Sequence, residues 1–147
     1  MMNRNEFEAA HCLTLEAEVQ WRDMDAFRHV NNISYLIWFE RVRIAFMERF
    51  GGEEYHQADE VAPVLASVQC RYRIPLTYPD NILIGVGVRD IGEDRFTQSY
   101  AVYSLAHEAV AAEGEGRLVY FDLKKGEKTA IPPVIKSRLL ELAGQEG

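Results

Sequence analysis

Between Trp21 and Glu40 the chain reads WRDMDAFRHVNNISYLIWFE, and most of its chemistry-bearing residues stand there. Asp23 and Asp25 are followed by His29, four positions after Asp25, and then by Asn31 and Asn32. A run that is apolar almost all round begins at once. A carboxylate beside the start of a buried helix can act on an acyl group: the helix start offers free N–H donors to an oxyanion, and the carboxylate serves as nucleophile or base. Asp25 is the candidate catalytic acid; its structural alternative is a loop-capping aspartate, common in turns. Two carboxylates facing one site would repel, so Asp23 is expected to bind loop amides or an arginine. His29 either orients Asp25 or water, or hydrogen-bonds backbone. The backbone N–H of Asn32 is the candidate oxyanion donor, and Asn32 or Asn31 is the expected N-cap.

The elements around this loop follow from hydrophobic period. Leu13, Leu15, Ala17, Val19 and Trp21 alternate with polar residues, which predicts a half-buried strand. Tyr35, Trp38, Phe39, Val42 and Phe46 form a helical stripe, and Ile33, Leu36, Ile37, Ile44 and Met47 carry apolar character to the other faces. A helix of roughly 27 Å, at 1.5 Å per residue, is therefore expected from Asn32 to Phe50, wrapped on all sides and ended by Gly51-Gly52. After a loop at 52–60, strands are predicted over 64–74, 82–88, 95–104 and 109–123, joined by turns at 78–81, 92–94 and 106–108. Gly85, Gly87, Gly114 and Gly116 lie within strands, where curvature or close backbone approach is expected. Lys124–Lys128 reads as a charged turn, and Pro133 opens a helix through Leu142. One long apolar helix with consecutive antiparallel hairpins requires a sheet curled around it. The expected fold is thus α+β, a five-stranded antiparallel sheet curled around a long central helix. Residues 1–12 show no period and read as a partly ordered tail before a single domain at 13–147.

The pattern Asp25-x-x-x-His29-Val30-Asn31-Asn32-x-x-Tyr35-Leu36, followed by Trp38, Glu40 and Arg43, resembles the 4-hydroxybenzoyl-CoA thioesterase-like family of hotdog-fold acyl-CoA thioesterases. The His-Val-Asn-Asn version resembles the long-chain acyl-CoA branch and is similar to the acyl-ACP thioesterases. The resemblance implies hydrolysis of an acyl-CoA, with Asp25 as nucleophile or general base, the Asn32 amide polarising the carbonyl and His29 assisting. It implies no metal and no redox cofactor. It also implies a homodimer or homotetramer with the pocket formed between subunits. Tyr35 and Trp38 are core residues that can also border an acyl pocket. Arg71, Arg73 and Lys124 are candidate contacts for coenzyme A phosphates, or else solvated surface charges. Glu40 is the rival carboxylate; its alternative is a buried ion pair with Arg41 or Arg43. An acyl-ACP thioesterase and a non-catalytic acyl-binding module are the competing functions.

Composition is consistent with this. The 147 residues carry a formal charge of −7, which excludes a broad nucleic-acid surface. No apolar run approaches the ~18 residues of a membrane span, so neither nucleic acid nor membrane is an expected partner. With two cysteines, Cys12 and Cys70, no disulfide framework is implied and a reducing cytoplasm fits. The four histidines show no metal-ligand spacing.

Overall fold

The computed structural model describes residues 2–52 and 60–145. Leu13–Glu18 form β1, Asn32–Phe50 the long helix, Val61–Tyr72 β2, Asn81–Arg89 β3, Arg95–Ser104 β4 and Ala109–Asp122 β5. All pair antiparallel in the order β1-β3-β4-β5-β2, curled against the helix. A sixth strand, β6 (Glu127–Lys128), pairs with the end of β5 where only a charged turn was expected. The closing helix spans Pro133–Gln145, a turn longer at its end than the sequence suggests. Its Ile135 and Leu139 complete the core, and Arg138 donates to the Gly51 carbonyl at 3.1 Å. The helices are α1 (Arg4–Ala9), α2 (Asn32–Phe50) and α3 (Pro133–Gln145).

The stripe read from α2 is the buried one: Tyr35, Trp38, Phe39, Val42 and Phe46 lie in the core with Ile84, Val86, Tyr100 and Val102. Close approach is visible at Gly114 of β5. A Cβ there would stand 2.4 Å from the Gln69 carbonyl oxygen and 2.6 Å from the Phe39 ring. The helix can lie this low on the sheet only because that position has no side chain.

Three expectations fail, each for a local reason. β1 stops at Glu18, and Trp21, expected to point inward, is 73 % exposed. The chain turns there into a 3-10 turn, Trp21–Asp23, because the Asp23 carboxylate takes the Gln20 N–H at 2.7 Å. The N-terminal stretch is not simply a tail. Asn3 caps α1 by accepting from the Glu6 N–H at 2.9 Å, and Phe7 is fully buried on the outer sheet face against Leu83, Ala101 and Tyr103. One buried side chain in six residues leaves no period to read. Finally, α2 is not wrapped on all sides: Ile33, Leu36, Ile37 and Ile44 are exposed. The sheet covers one side of the helix and leaves the other facing out. The loop expected at 52–60 lies largely outside the described residues.

Candidate active site

The loop between β1 and α2 is held as a tight hairpin. The Asp25 N–H donates to the His29 carbonyl at 2.9 Å, Met24 and Val30 form an antiparallel bridge, and Arg28 takes a positive φ of 64° at the bend. The Val30 N–H ties the loop to Leu76 at 2.9 Å. Asp23 joins loop to helix: one carboxylate oxygen accepts from Gln20, the other from the buried Ser34 hydroxyl at 3.0 Å, and its carbonyl accepts from the Asn31 N–H at 2.8 Å. The amide-binding role expected of Asp23 is thus the one it fills.

Asn31 is the N-cap, and Asn32 is the first helical residue. The Asn31 side-chain oxygen accepts from the Ile33 N–H at 3.0 Å, and its carbonyl accepts from the Ser34 N–H at 3.0 Å. The Asn32 N–H has no acceptor among the described residues. It is one of the orphan donors every helix start presents, at the positive end of the dipole.

Asp25 is half-buried. Its Oδ1 accepts from the Phe27 N–H at 2.8 Å and, weakly, from the His29 N–H at 3.4 Å, while Oδ2 has no partner among the described residues. The turn-capping contacts therefore use one oxygen of the carboxylate and leave the other without a partner among the described residues. Asp25 and Asn32 line one open cavity of about 330 Å³ with Val30, Tyr35, Tyr72 and Arg73. Burial pushes the Tyr35 phenol up to about 12, against a hydrogen bond from the Leu76 backbone, so Tyr35 stays protonated near neutral pH and cannot serve there as a base. Tyr72 donates to the Asn32 carbonyl at 3.4 Å, and burial raises its phenol as well. Burial likewise raises the nearby Cys70, so it stays a thiol rather than a nucleophilic thiolate.

Several candidates are not gathered here. The His29 side chain is exposed and does not line the cavity; its part in the loop is through its backbone. Trp38 is buried in the core, edge-on to Tyr35 at 5.1 Å, and borders a different groove. Arg73 lines the cavity but is paired with Glu113 at 3.2 Å. Arg71 lies in a groove on the outer sheet face, and Lys124 pairs with Glu60 in the turn after β5. The basic residues do not converge as a phosphate site. Glu40 is exposed and has no ion pair among the described residues, so the expected buried pair with Arg41 or Arg43 is absent. Arg43 instead donates to the Tyr100 hydroxyl at 3.3 Å. Tyr72 is the cavity residue that the sequence reading did not single out. Its signal was its place on the inward side of the alternating β2 pattern, one step before Arg73.

A sheet curled around one long helix, with a hydrogen-bonded acidic loop at the helix start, is the architecture of a hotdog-fold thioester hydrolase. The profile of the thioesterase-like superfamily matches residues 19–139, and the chain belongs to that family. It is similar to the long-chain acyl-CoA thioesterase FadM of Escherichia coli (strain K12), 22 % identical over 127 residues that cover 86 % of this chain and 96 % of FadM. The uncharacterized protein YsmA of Bacillus subtilis (strain 168) is 27 % identical over 93 residues, 63 % of this chain; the match spans 62 % of YsmA. Among solved structures, a thioesterase from Thermus thermophilus, in complex with coenzyme A and Zn, superposes with a TM-score of 0.75 at 25 % identity, covering 88 % of this chain and 98 % of that one. Among the described residues no helix is long and apolar enough to cross a membrane.

Proposed function

We propose that this chain hydrolyses an acyl-CoA thioester to the free acid and coenzyme A at the cavity shared by Asp25 and Asn32. The observation that supports this reading is that one oxygen of Asp25 and the N–H of Asn32 have no partner among the described residues, and that both residues line the same space. A thioester carbonyl lodged at the start of α2 directs its oxygen at the Asn32 N–H. As the tetrahedral centre forms, that oxygen gains charge, and a preorganised donor at a helix start is worth roughly 2.7–4 kcal/mol by analogy with other oxyanion donors. Asp25 acts in one of two ways. As base, it takes a proton from water, the hydroxide adds to the carbonyl carbon, the C–S bond breaks, and the departing thiolate takes the proton. As nucleophile, its Oδ2 adds instead, the thiolate leaves, and water cleaves the resulting anhydride.

The cavity is open along the end of β2, where Tyr72 and Arg73 stand. Among the described residues β2 is hydrogen-bonded on one side only, to β5. A free edge is usually paired or covered, and a second copy seated there would wall the cavity. A dimer or larger assembly is therefore the proposed active unit. The scattered placement of Arg71, Arg73 and Lys124 favours one further reading: the nucleotide of coenzyme A adds little, and an acyl carrier protein substitutes for it. The test is an activity screen over short-chain, long-chain and aromatic acyl-CoAs together with an acyl-pantetheine. Turnover of at least one acyl-CoA is expected, several-fold better in kcat/KM than its pantetheine analogue. Equal kcat/KM would favour the carrier-protein reading, and no turnover of any thioester would defeat the proposal.

A further inference from the structure

The loop that carries Asp25 also carries the two most exposed large apolar side chains among the described residues, Phe27 at 83 % and Trp21 at 73 %. Neither hangs on a slack segment. Trp21 opens the 3-10 turn pinned by Asp23, and Phe27 stands at the hairpin bend, its N–H donating to Asp25 Oδ1. The connection into β3 is tied to this loop by two hydrogen bonds. The Val19 N–H donates to the Asp80 carbonyl and the Val30 N–H to the Leu76 carbonyl, both at 2.9 Å. That connection adds an exposed Tyr78, edge-on to Trp21 at 5.6 Å. One end of the molecule thus holds three aromatic side chains out to solvent. Charge is sorted there by direction. Asp23, Asp25 and Asp80 are half-buried, and each accepts hydrogen bonds from within the fold, Asp80 from the Ser104 hydroxyl and the Ala106 N–H. Arg22 and Arg28 are exposed, and neither has an ion-pair partner among the described residues. From residue 19 to residue 33 no exposed side chain is acidic. Glu16 and Glu18 of β1 border a groove with Arg22, whereas Arg28 adjoins Phe27 at the bend. The chain as a whole carries −7, so this end is locally reversed in sign.

We propose that this end docks on an anionic phospholipid surface, with Phe27 and Trp21 at the headgroup boundary and Arg22 and Arg28 against the lipid phosphates. Tryptophan and tyrosine favour that boundary because each ring has an apolar body and a polar edge. Arginines beside an anionic leaflet add attraction that neutral lipid lacks. A second copy seated here about a two-fold axis would set this cationic end against itself. An acidic protein surface satisfies the arginines but sets the projecting rings against polar groups; a lipid boundary satisfies both. Such attachment needs no spanning run, whose lack was the ground for expecting no membrane partner. The proposal goes beyond hydrolysis and stands without it. Because Asp25 lies in the same loop, docking also brings acyl thioesters dissolved in the lipid close to the candidate cavity.

The experiment is co-sedimentation of the full chain with phosphatidylcholine vesicles, with and without phosphatidylglycerol, read together with tryptophan emission. The chain holds two tryptophans, and Trp38 is buried, so a vesicle-dependent blue shift reports Trp21. Binding to the anionic vesicles is expected at low salt. It should weaken as salt rises, because surface charges are screened over about 8 Å at physiological ionic strength. Phe27→Ser should lower binding about ten-fold, and Arg28→Gln about five-fold. Trp21→Phe should still sediment but lose the emission shift. The replaced side chains all face solvent, and circular dichroism confirms that each variant is folded. No sedimentation with anionic vesicles, equal binding to neutral ones, or binding indifferent to both Phe27→Ser and Arg28→Gln would each overturn the proposal. A lower molar mass of Phe27→Ser in light scattering would overturn it in favour of a second copy. Retention of an acyl carrier protein by a chain that ignores vesicles would overturn it in favour of that carrier.

Discussion

Two concave regions of this molecule invite comparison: the cavity at the start of α2 and the groove on the outer sheet face between α1 and the strands. The outer groove is the larger, at about 460 Å³ against 330 Å³, and it holds His11, Arg71, Arg89, Glu113 and Glu115. Its polar groups other than Arg71 are nevertheless engaged. Arg89 pairs with Glu115, Glu113 with Arg73, and the His11 ring bonds the Phe7 carbonyl at 2.7 Å. At the helix start, one oxygen of Asp25 and the N–H of Asn32 have no partner among the described residues and border one space. Size is not what singles out the proposed reactive region; unpartnered groups that share a space are.

That contrast can be sharpened by substitution. The largest structural effect is expected from Asp23→Ala, which leaves the Gln20 N–H and the buried Ser34 hydroxyl without their acceptor. Loss of such a partner costs about 1–3 kcal/mol, and the displaced loop should also lower kcat at least ten-fold. Thermal melting and steady-state kinetics read both. Asn31→Ala removes the cap and should cost about 1 kcal/mol, with a smaller fall in kcat, because the Ile33 N–H then competes for the oxyanion. In the outer groove, Arg89→Gln removes an exposed ion pair worth at most about 1 kcal/mol and should leave kcat unchanged. A kcat loss there as deep as that of Asp23→Ala would erase the distinction between the regions.

Two smaller effects separate the regions further. Arg73→Glu should raise KM several-fold at low salt and less at high salt, since exposed charges are screened over about 8 Å at physiological ionic strength. Arg71→Glu, in the outer groove, should leave KM alone. The Tyr35 phenol, raised from 10.0 to about 12 by burial, is held neutral by the fold. Its contribution to stability is therefore complete below pH 10 and is lost as pH rises through about 12. Denaturation measured between those limits should show a decline that Tyr35→Phe reduces but does not abolish, because burial also raises the phenols of Tyr72 and Tyr100.

The helix, its buried stripe and the order of the strands were readable because each rests on a period that survives in one sequence. Asp25, Asn32, Tyr35 and Arg73 were singled out and share one cavity; Trp38, Arg71, Lys124 and the His29 ring stand elsewhere. The misses have a common cause. Arg71 and Arg73 are two apart in an alternating run and look equivalent, but β2 ends at Tyr72 between them, and the Arg73 and Ile74 N–H groups both reach the Ala111 carbonyl, which separates their surroundings. Trp21 continues the β1 alternation in type, yet a side chain two residues later turns the backbone away. The exposed isoleucines of α2 match core residues in composition. Their direction depends on how far the sheet curls, which no local pattern encodes.

The central claim concerns one oxygen of one carboxylate, so Asp25→Asn addresses it most directly. Asparagine keeps an oxygen for the Phe27 N–H and therefore the turn, but gives up the charge and the nucleophile. The measurement is kcat on an acyl-CoA substrate, with the melting temperature taken on the same sample. The expected result is a kcat lowered by roughly 10²–10⁴-fold at an unchanged melting temperature. A near-normal kcat in Asp25→Asn, or an inactive Glu40→Gln beside an active Asp25→Asn, would contradict the account.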